Sequence, residues 1–431
     1  MKEPFYLFLL LLLPGLAGAQ EEKKFGIEFS GFVKNDFSFD SRQTVSAREG
    51  HFLLWPHRII KDDNGEDINA NPVLSLLAIQ SRLSGKITGP DAFGAKTSGL
   101  IEGDFFGTTN AAINLLRMRH AYVKLNWERS ELLLGQYWNP LFVTSCFPSV
   151  VSFNTGAPIQ PFSRNPQIRY TYGKGAIKVM AAALGQRDYS TIGANGASPD
   201  YLRNAAIPNM HLQLHYNKKS DEKTSELTMG IGGEIKKIKP RISNTNNQGT
   251  FKLDESLTSM SGIAFATIKT KPVTVKLTGI YGENLSDVLS ITGFAVKEVT
   301  DTLTGQQSYT PTSSLIIWTD IKSNGKKWQV GLFAGMNKYL GTKEAMSNSA
   351  NNIYSLPLIF SQRDITMLYR IAPRVMLNSG KTRFAAEWEY TFATFGETNN
   401  EGVYSKNNNG IPEYTKRVGN IRILLAAYYF F

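Results

Sequence analysis

The side chains best able to do chemistry in this chain are its charged ones, and they recur at even spacings. Arg82 and Lys86, Glu102 and Asp104, Arg117 and Arg119, and Glu387 and Glu389 each stand two or four residues apart. In an extended strand such spacing places both members of a pair on one face. Opposed charges across a narrow passage create a transverse field that orients polar solutes. A wall of arginines holds an anion weakly enough to release it. The same alternation puts Arg169, Lys178, Lys276, Arg370, Arg374 and Arg422 on one face of their segments, with Glu28, Asp36, Glu234 and Asp320 as acidic counterparts. The plainer reading is that these charges solvate a wall and pair with one another.

Other chemistry has little to stand on. No Gly-x-Ser-x-Gly elbow occurs, and the histidines at 51, 57, 120, 211 and 215 have no serine partner in sequence, so hydrolytic catalysis is not expected. His211 and His215 share a strand face, but no third metal ligand stands beside them, and two polar lining residues are the simpler reading. Cys146 is the single cysteine, so no disulfide framework or resolving thiol exists. The run Lys61 to Asp67 has the oxygens of a calcium loop but lacks the closing bidentate glutamate, which favours a solvated loop tip. No cofactor or metal is expected. The net charge of +11 and pI near 9.4 suit anionic solutes or lipopolysaccharide phosphates. The basic residues are spread singly along strands, so no nucleic-acid arm is formed.

The elements that must carry these residues are strands. Phe25, Ile27, Phe29, Val33, Phe37 and Phe39 share one parity, and Glu28, Ser30, Lys34, Asp36, Ser38 and Asp40 the other. The pattern returns in Leu77–Thr88, Val273–Tyr281, Ile365–Leu377 and Phe384–Phe392. In the last segment, 414–431, Ile421, Ile423, Leu425, Tyr429 and Phe431 oppose Asn420 and Arg422. About sixteen such segments can be parsed, the even number that a closed antiparallel transmembrane barrel with both ends on one side requires. One of them is placed at 314–322. Within 115–127, Arg117 and Arg119 share parity with Val123 and Leu125, which predicts a β-bulge. Mean hydropathy is −0.22, which is compatible with a barrel because lipid-facing and lumen-facing residues alternate. The fold expected is all-β, a transmembrane barrel.

Connections sort by length. Short turns rich in Gly, Pro and Asn alternate with long stretches at 41–72, 139–166, 186–208, 238–256, 283–313, 340–363 and 396–413. Aromatic residues near strand ends, among them Phe37, Phe39, Tyr170, Tyr172, Trp318, Trp328, Tyr339 and Tyr428 to Phe431, suggest girdles at the two bilayer interfaces. Residues 139–166 follow the fifth strand and so form the third outer loop. Phe147-Pro148, Phe153, Ala157-Pro158 and Pro161-Phe162 make it too apolar for a solvated tip. Folding inward to narrow a pore accounts for that content, and covering a subunit interface is the alternative. Asn154, Thr155 and Arg164 are its best polar contacts. At the N-terminus, Lys2, the apolar run Phe5–Leu13 and Ala17-Gly18-Ala19 read as a signal peptide over residues 1–19, leaving one barrel domain over 20–431.

Several short stretches, taken together, resemble a known family. They are Ser81-Arg82-Leu83, then Ile101-Glu102-Gly103-Asp104-Phe105-Phe106-Gly107, Leu116-Arg117-Met118-Arg119-His120-Ala121-Tyr122, Leu134-Gly135-Gln136-Tyr137-Trp138 and Arg164-Asn165-Pro166-Gln167-Ile168-Arg169-Tyr170. Their order across residues 75–175 resembles the DcaP-like trimeric outer-membrane porins of Gram-negative bacteria, distant relatives of the phosphate-selective porins. The resemblance implies a sixteen-stranded homotrimeric channel for small, often anionic, molecules. It places Arg82, Glu102, Asp104, Arg117, Arg119 and Arg169 on the pore side near a constriction. The function expected is passive diffusion of small polar solutes across the outer membrane, with a barrel whose loops bind a partner protein or glycan as the alternative.

Overall fold

A computed structural model describes residues 25–220, 224–347, 352–360 and 364–431. The expected signal peptide and the start at Gln20 lie outside the described residues. Alternating sequence becomes strand wherever a greasy face can meet apolar surroundings and the backbone can pair on both sides. Here sixteen antiparallel wall strands do so: β1 (Gly26–Asp40), β2 (Val73–Leu77 and Arg82–Thr88), β3 (Lys96–Asp104), β4 (Arg117–Asn126), β5 (Ser130–Trp138), β6 (Arg164–Lys174), β7 (Ile177–Leu184), β8 (Asn209–Lys219), β9 (Glu226–Ile238), β10 (Leu257–Lys269), β11 (Val273–Glu283), β12 (Gln306–Ser323), β13 (Trp328–Thr342), β14 (Ile365–Ser379), β15 (Thr382–Gly396) and β16 (Thr415–Phe430). Each pairs with the next, and β16 closes on β1 with Phe32 opposite Phe430 and Asp40 opposite Arg422. Closure leaves no edge strand, the condition for a sheet to sit in hydrocarbon.

Burial follows the alternation. On β1, Lys34, Asp36, Ser38 and Asp40 are buried inside while Val33, Phe37 and Phe39 face out. On β15 the outward residues are Phe384, Trp388 and Tyr390, and the inward ones Glu387 and Glu389. Ile101, Met118, Ile168, Leu212, Ile231 and Tyr429 extend this exposed apolar belt around the barrel. A contiguous apolar surface of that extent is one that lipid covers. Among the described residues no helix is long and apolar enough to cross a membrane.

The long connections, among them L1 (41–72), L2 (105–116), L3 (139–163) and L4 (185–208), gather at one end of the barrel and the short turns at the other. The stretch expected as a loop at 283–313 is partly strand. Gly293–Asp301 pairs with the upper part of β12, which begins at Gln306 rather than 314 and projects above the wall. Several expected girdle aromatics are interior. Trp318 and Tyr339 are buried, because Trp318 shares the parity of inward Asp320 and Tyr339 that of inward Asn337. On β16, Tyr428 likewise turns inward while Tyr429 faces out. The anticipated bulge is present, with the register shifting between Glu102 and Gly103 against β4.

The main core lies inside the barrel. Phe52, Leu54 and Trp55 of L1 pack with Phe106 of L2 and with Phe142, Phe153, Ala157 and Phe162 of L3. Burying each aromatic contributes about 1.5–3 kcal/mol. L1 and L3 are therefore drawn into the lumen, against Phe106 of L2, by the same force that compacts a soluble core.

Candidate functional site

The bulge decides the first part of the site. Without it, Arg117 and Arg119 could not both approach the carboxylates of β3. Arg117 Nε donates to Asp104 Oδ1 at 2.8 Å. Arg119 bridges two carboxylates, with Nη1 2.7 Å from Asp104 Oδ2 and Nε 2.7 Å from Glu102 Oε1. Ser84 donates to the other Glu102 oxygen at 2.7 Å, and Arg82 stands 3.8 Å from Oε1. Asp104 is fully buried under Phe106 and Phe153, whose rings stack at 3.9 Å. Glu102 and Arg82 keep 13% and 21% side-chain exposure and Lys86 is exposed, so these three are the members of the group open to water.

Arg164 is fully buried and donates from Nε and Nη2 to Asp188 of L4 at 2.8 and 2.6 Å. Burial works against charge on Asp188, but the Arg164 and Arg117 guanidiniums outweigh it and hold the carboxyl below its usual range. Arg370, Arg374 and Arg422 also face inward, yet each is buried. Arg422 makes a bidentate pair with Asp40 at 2.9 and 2.6 Å. Arg374 lies 2.9 Å from Asp320, and Arg370 lies 3.5 Å from Glu389. These three are wall residues tied to partners, not side chains offered to a passing solute.

L3 folds inward and crosses the lumen. On leaving β5 it is held at Pro140, whose carbonyl accepts from Gln213 of β8 at 2.8 Å. Lys276 of β11 donates to Phe147 O at 2.7 Å. At the far wall, the Val151 and Ser152 amides donate to the two oxygens of Glu387 at 2.7 and 3.0 Å, and Lys34 donates to Val151 O at 2.9 Å. Asn154 Nδ2 then donates to Glu389 at 3.0 Å, and Arg370 donates to Ala157 O at 2.9 Å on the return. Thr155 caps its own turn by donating to Asn154 O. A polypeptide pinned at both walls divides the lumen.

Below the first part of L3 lies a polar pocket of about 220 Å³. Thr144 and Ser145 of L3 line it with Arg169, Lys178, Gln213 and His215 of the wall. No carboxylate is among its lining residues. Arg169 is held by Gln167 at 2.9 Å and by Trp138 O at 2.7 Å, and it lies over the Tyr137 ring. His215 Nε2 sits 2.9 Å from Gln213 Oε1. Arg169 and Lys178 come from neighbouring strands, where Lys178 pairs with Gly173 and Arg169 with Ala182, so the sheet itself fixes their spacing. Their convergence with L3 depends on the loop path, which no periodicity encodes.

The remaining candidates have local explanations. His211 lies 3.6 Å from Glu234 inside the wall, and no group of three metal-ligating side chains forms among the described residues. Asp62 and Asp67 accept backbone amides of their own loop, and Asp67 pairs with Arg42 at 2.9 Å. Cys146 is a buried apolar contact of L3.

No family model and no curated protein matches this chain. Solved structures do match over nearly its whole length. The outer membrane channel DcaP of Acinetobacter baumannii superposes with a TM-score of 0.65 at 16% identity, covering 96% of this chain and all of that one. An anion-selective porin from Comamonas acidovorans gives 0.53 at 11% identity over 95% of this chain, and the OmpT outer membrane protein of Vibrio cholerae gives 0.51 at 12% identity over 96%. At these identities the likeness is one of fold. The chain has the closed sixteen-stranded barrel of the outer-membrane porins, and its expected likeness to DcaP-type channels holds at that level.

Proposed function

We propose that this protein is a non-catalytic diffusion channel of the bacterial outer membrane that passes small polar solutes and prefers anions. The observation that carries the reading is the pairing of an inward-folded L3 with a basic pocket beneath it that has no acidic lining residue. Acids elsewhere on the inner wall are already engaged: Asp40, Asp104, Asp320, Glu387 and Glu389 all have buried partners. The inward charges left within reach of water are Arg82, Lys86, Arg169 and Lys178 against Glu28 and Glu102, so the accessible field leans positive although the charge inventory of the wall is near balance. The apolar belt supports membrane insertion, and its neighbours in fold are outer-membrane proteins. Contact with lipopolysaccharide at the loop end follows from that location. A homotrimer is the assembly proposed; one of the OmpT structures is described as a trimer form.

Single-channel recording in a planar bilayer under a salt gradient tests this. Conductance steps closing in threes, with a reversal potential favouring chloride, are expected. A folded, inserted barrel that stays silent would sink the channel reading and favour a barrel whose loops dock a partner.

A further inference from the structure

L1 carries an apolar run that a solvated loop has no use for: Phe52-Leu53-Leu54-Trp55-Pro56. In the structure Thr44–Ala47 and Phe52–Pro56 form a two-stranded hairpin, and Phe52 to Trp55 are each 2% exposed or less. The hairpin does not lie over the rim. Its turn residue His51 places Nε2 3.2 Å from Asp36 Oδ2 on the inner wall. Asp36 is four residues below Asp40, the last residue of β1, so the turn reaches about 13 Å below the strand end at 3.3 Å per residue.

Three polar clamps hold it there. Arg422 Nη2 donates to Gly50 O at 2.7 Å. Asn154 of L3 donates to Leu53 O at 3.3 Å. The third is Arg370, whose guanidinium donates to Leu54 O of L1 at 2.9 Å through Nη2 and to Ala157 O of L3 at 2.9 Å through Nη1. Its Nε donates to Thr391 at 2.8 Å, which fixes the plane. A planar fork of five donors can bridge two carbonyls from separate chain segments, and a lysine ammonium cannot hold that geometry. Ring contacts reinforce the seam, with Phe52 5.5 Å from both Phe153 and Phe162.

Resting on the channel reading above, we propose that the L1 hairpin is a second restriction element, clasped to L3 by Arg370. Two loops, not one, then set the size limit for solutes. The hairpin fills the lumen beside β15 and β16 and leaves the passage to the side of β2 to β8, where Arg82, Lys86, Arg169 and Lys178 remain reachable. Arg370 is a positioning residue in this account: it acts on the pore through the two loops and does not touch the solute.

The test compares wild type with two variants. In one, residues 45–56 are exchanged for a short Gly-Ser linker; in the other, Arg370→Met removes the clasp and leaves both loops intact. Conductance is recorded in planar bilayers, and size limits are read from liposome swelling with sugars of graded size. Loss of the hairpin is expected to raise conductance about twofold or more and to admit larger sugars, since a narrow constriction dominates pore resistance. Arg370→Met is expected to raise the size limit and to add loop noise to the open level, with Arg370→Lys failing to restore quiet openings. Wild-type conductance and size limit in both variants would overturn the second restriction while leaving the channel intact. Silence in wild type that persists without the hairpin would overturn the channel reading and this inference together. Should the linker variant not fold, the Arg370→Met recordings decide alone.

Discussion

At the scale of single residues, the barrel interior separates charges that act from charges that hold. Arg169 and Lys178 are proposed to be of the first kind. A unit charge at contact distance is worth about 1 kcal/mol in water and about 4 kcal/mol where water is partly excluded. Replacing both by Gln is expected to lower anion preference about fivefold or more, and a reversal potential unchanged from wild type would refute their role. Asp40 belongs to the second kind. Its bidentate pair with Arg422 is buried on both sides. Asp40→Ala strands a guanidinium inside the wall and is expected to destabilise by about 3–5 kcal/mol, read as a lower urea midpoint in detergent. His51 is a special case because it sits at the tip of the L1 hairpin. Burial, with Lys34 and Arg422 nearby, pushes it down to about 3, although Asp36 is close, because Lys34 lies 3.0 Å from that same carboxylate. Gln80 and Asp104 oppose the shift. A group lowered in the docked state stabilises docking above its free value near 6.5 and loses that contribution as pH falls toward 3. Trp55 fluorescence should therefore report L1 loosening below about pH 6, and His51→Gln should flatten the titration.

At the scale of elements, the strands supply rigid coordinates and the loops supply the filling. L3 depends on Glu387 at its far end, where two backbone amides donate to one carboxylate. Hydrogen bonds to a charged acceptor contribute about 1.5–3 kcal/mol. Glu387→Gln retains one acceptor oxygen and is expected to leave the barrel folded while increasing proteolysis within 139–163. Equal protease resistance would show that the apolar packing of L3 suffices. On the wall, Gly135 sits at φ +132°, and a Cβ there would meet Ala121 O at 2.3 Å and Tyr122 Cα at 2.7 Å. Gly135→Ala should therefore disrupt the β4–β5 pairing that presents Arg117 and Arg119, lowering the yield of folded barrel. Normal yield and conductance would mean that the local register can slip without harm.

At the scale of the whole molecule, closure and height are the organising facts. Wall strands run from 8–11 residues in β3 to β8 to 15–18 residues in β12 to β16. The barrel is therefore low on one side and high on the other. The clamped loops lean on the tall wall and the reachable basic residues lie on the low one, so a solute path displaced from the barrel axis follows. If the channel assembles as a trimer, closure in three equal steps is the expected record, and a single step per insertion would contradict it.

The alternation of residues determined, from sequence alone, that the chain makes a closed barrel, how many strands it has, which face of each is wet, and that β4 carries a bulge. Those features are periodic, and hydrocarbon on one side forces every strand to obey the period. The inward fold of L3 was also legible, since an apolar loop of that length must pack on something. What the tertiary structure alone decided is which inward charges are tied to buried partners and which stay open to water. Arg370, Arg374 and Arg422 read like Arg169 in sequence, but their partners arrive from loops and distant strands, as with Leu53 of L1, 317 residues from Arg370. The path of L1 was illegible for the same reason: loop docking depends on shape and on carbonyls left free in space, and neither has a period. Trp318 and Tyr339 were misread where β-propensity and interface preference pointed outward and strand parity pointed in. The parity won because a pleated strand has only two faces, and the neighbours on the same strand had already fixed which one was dry.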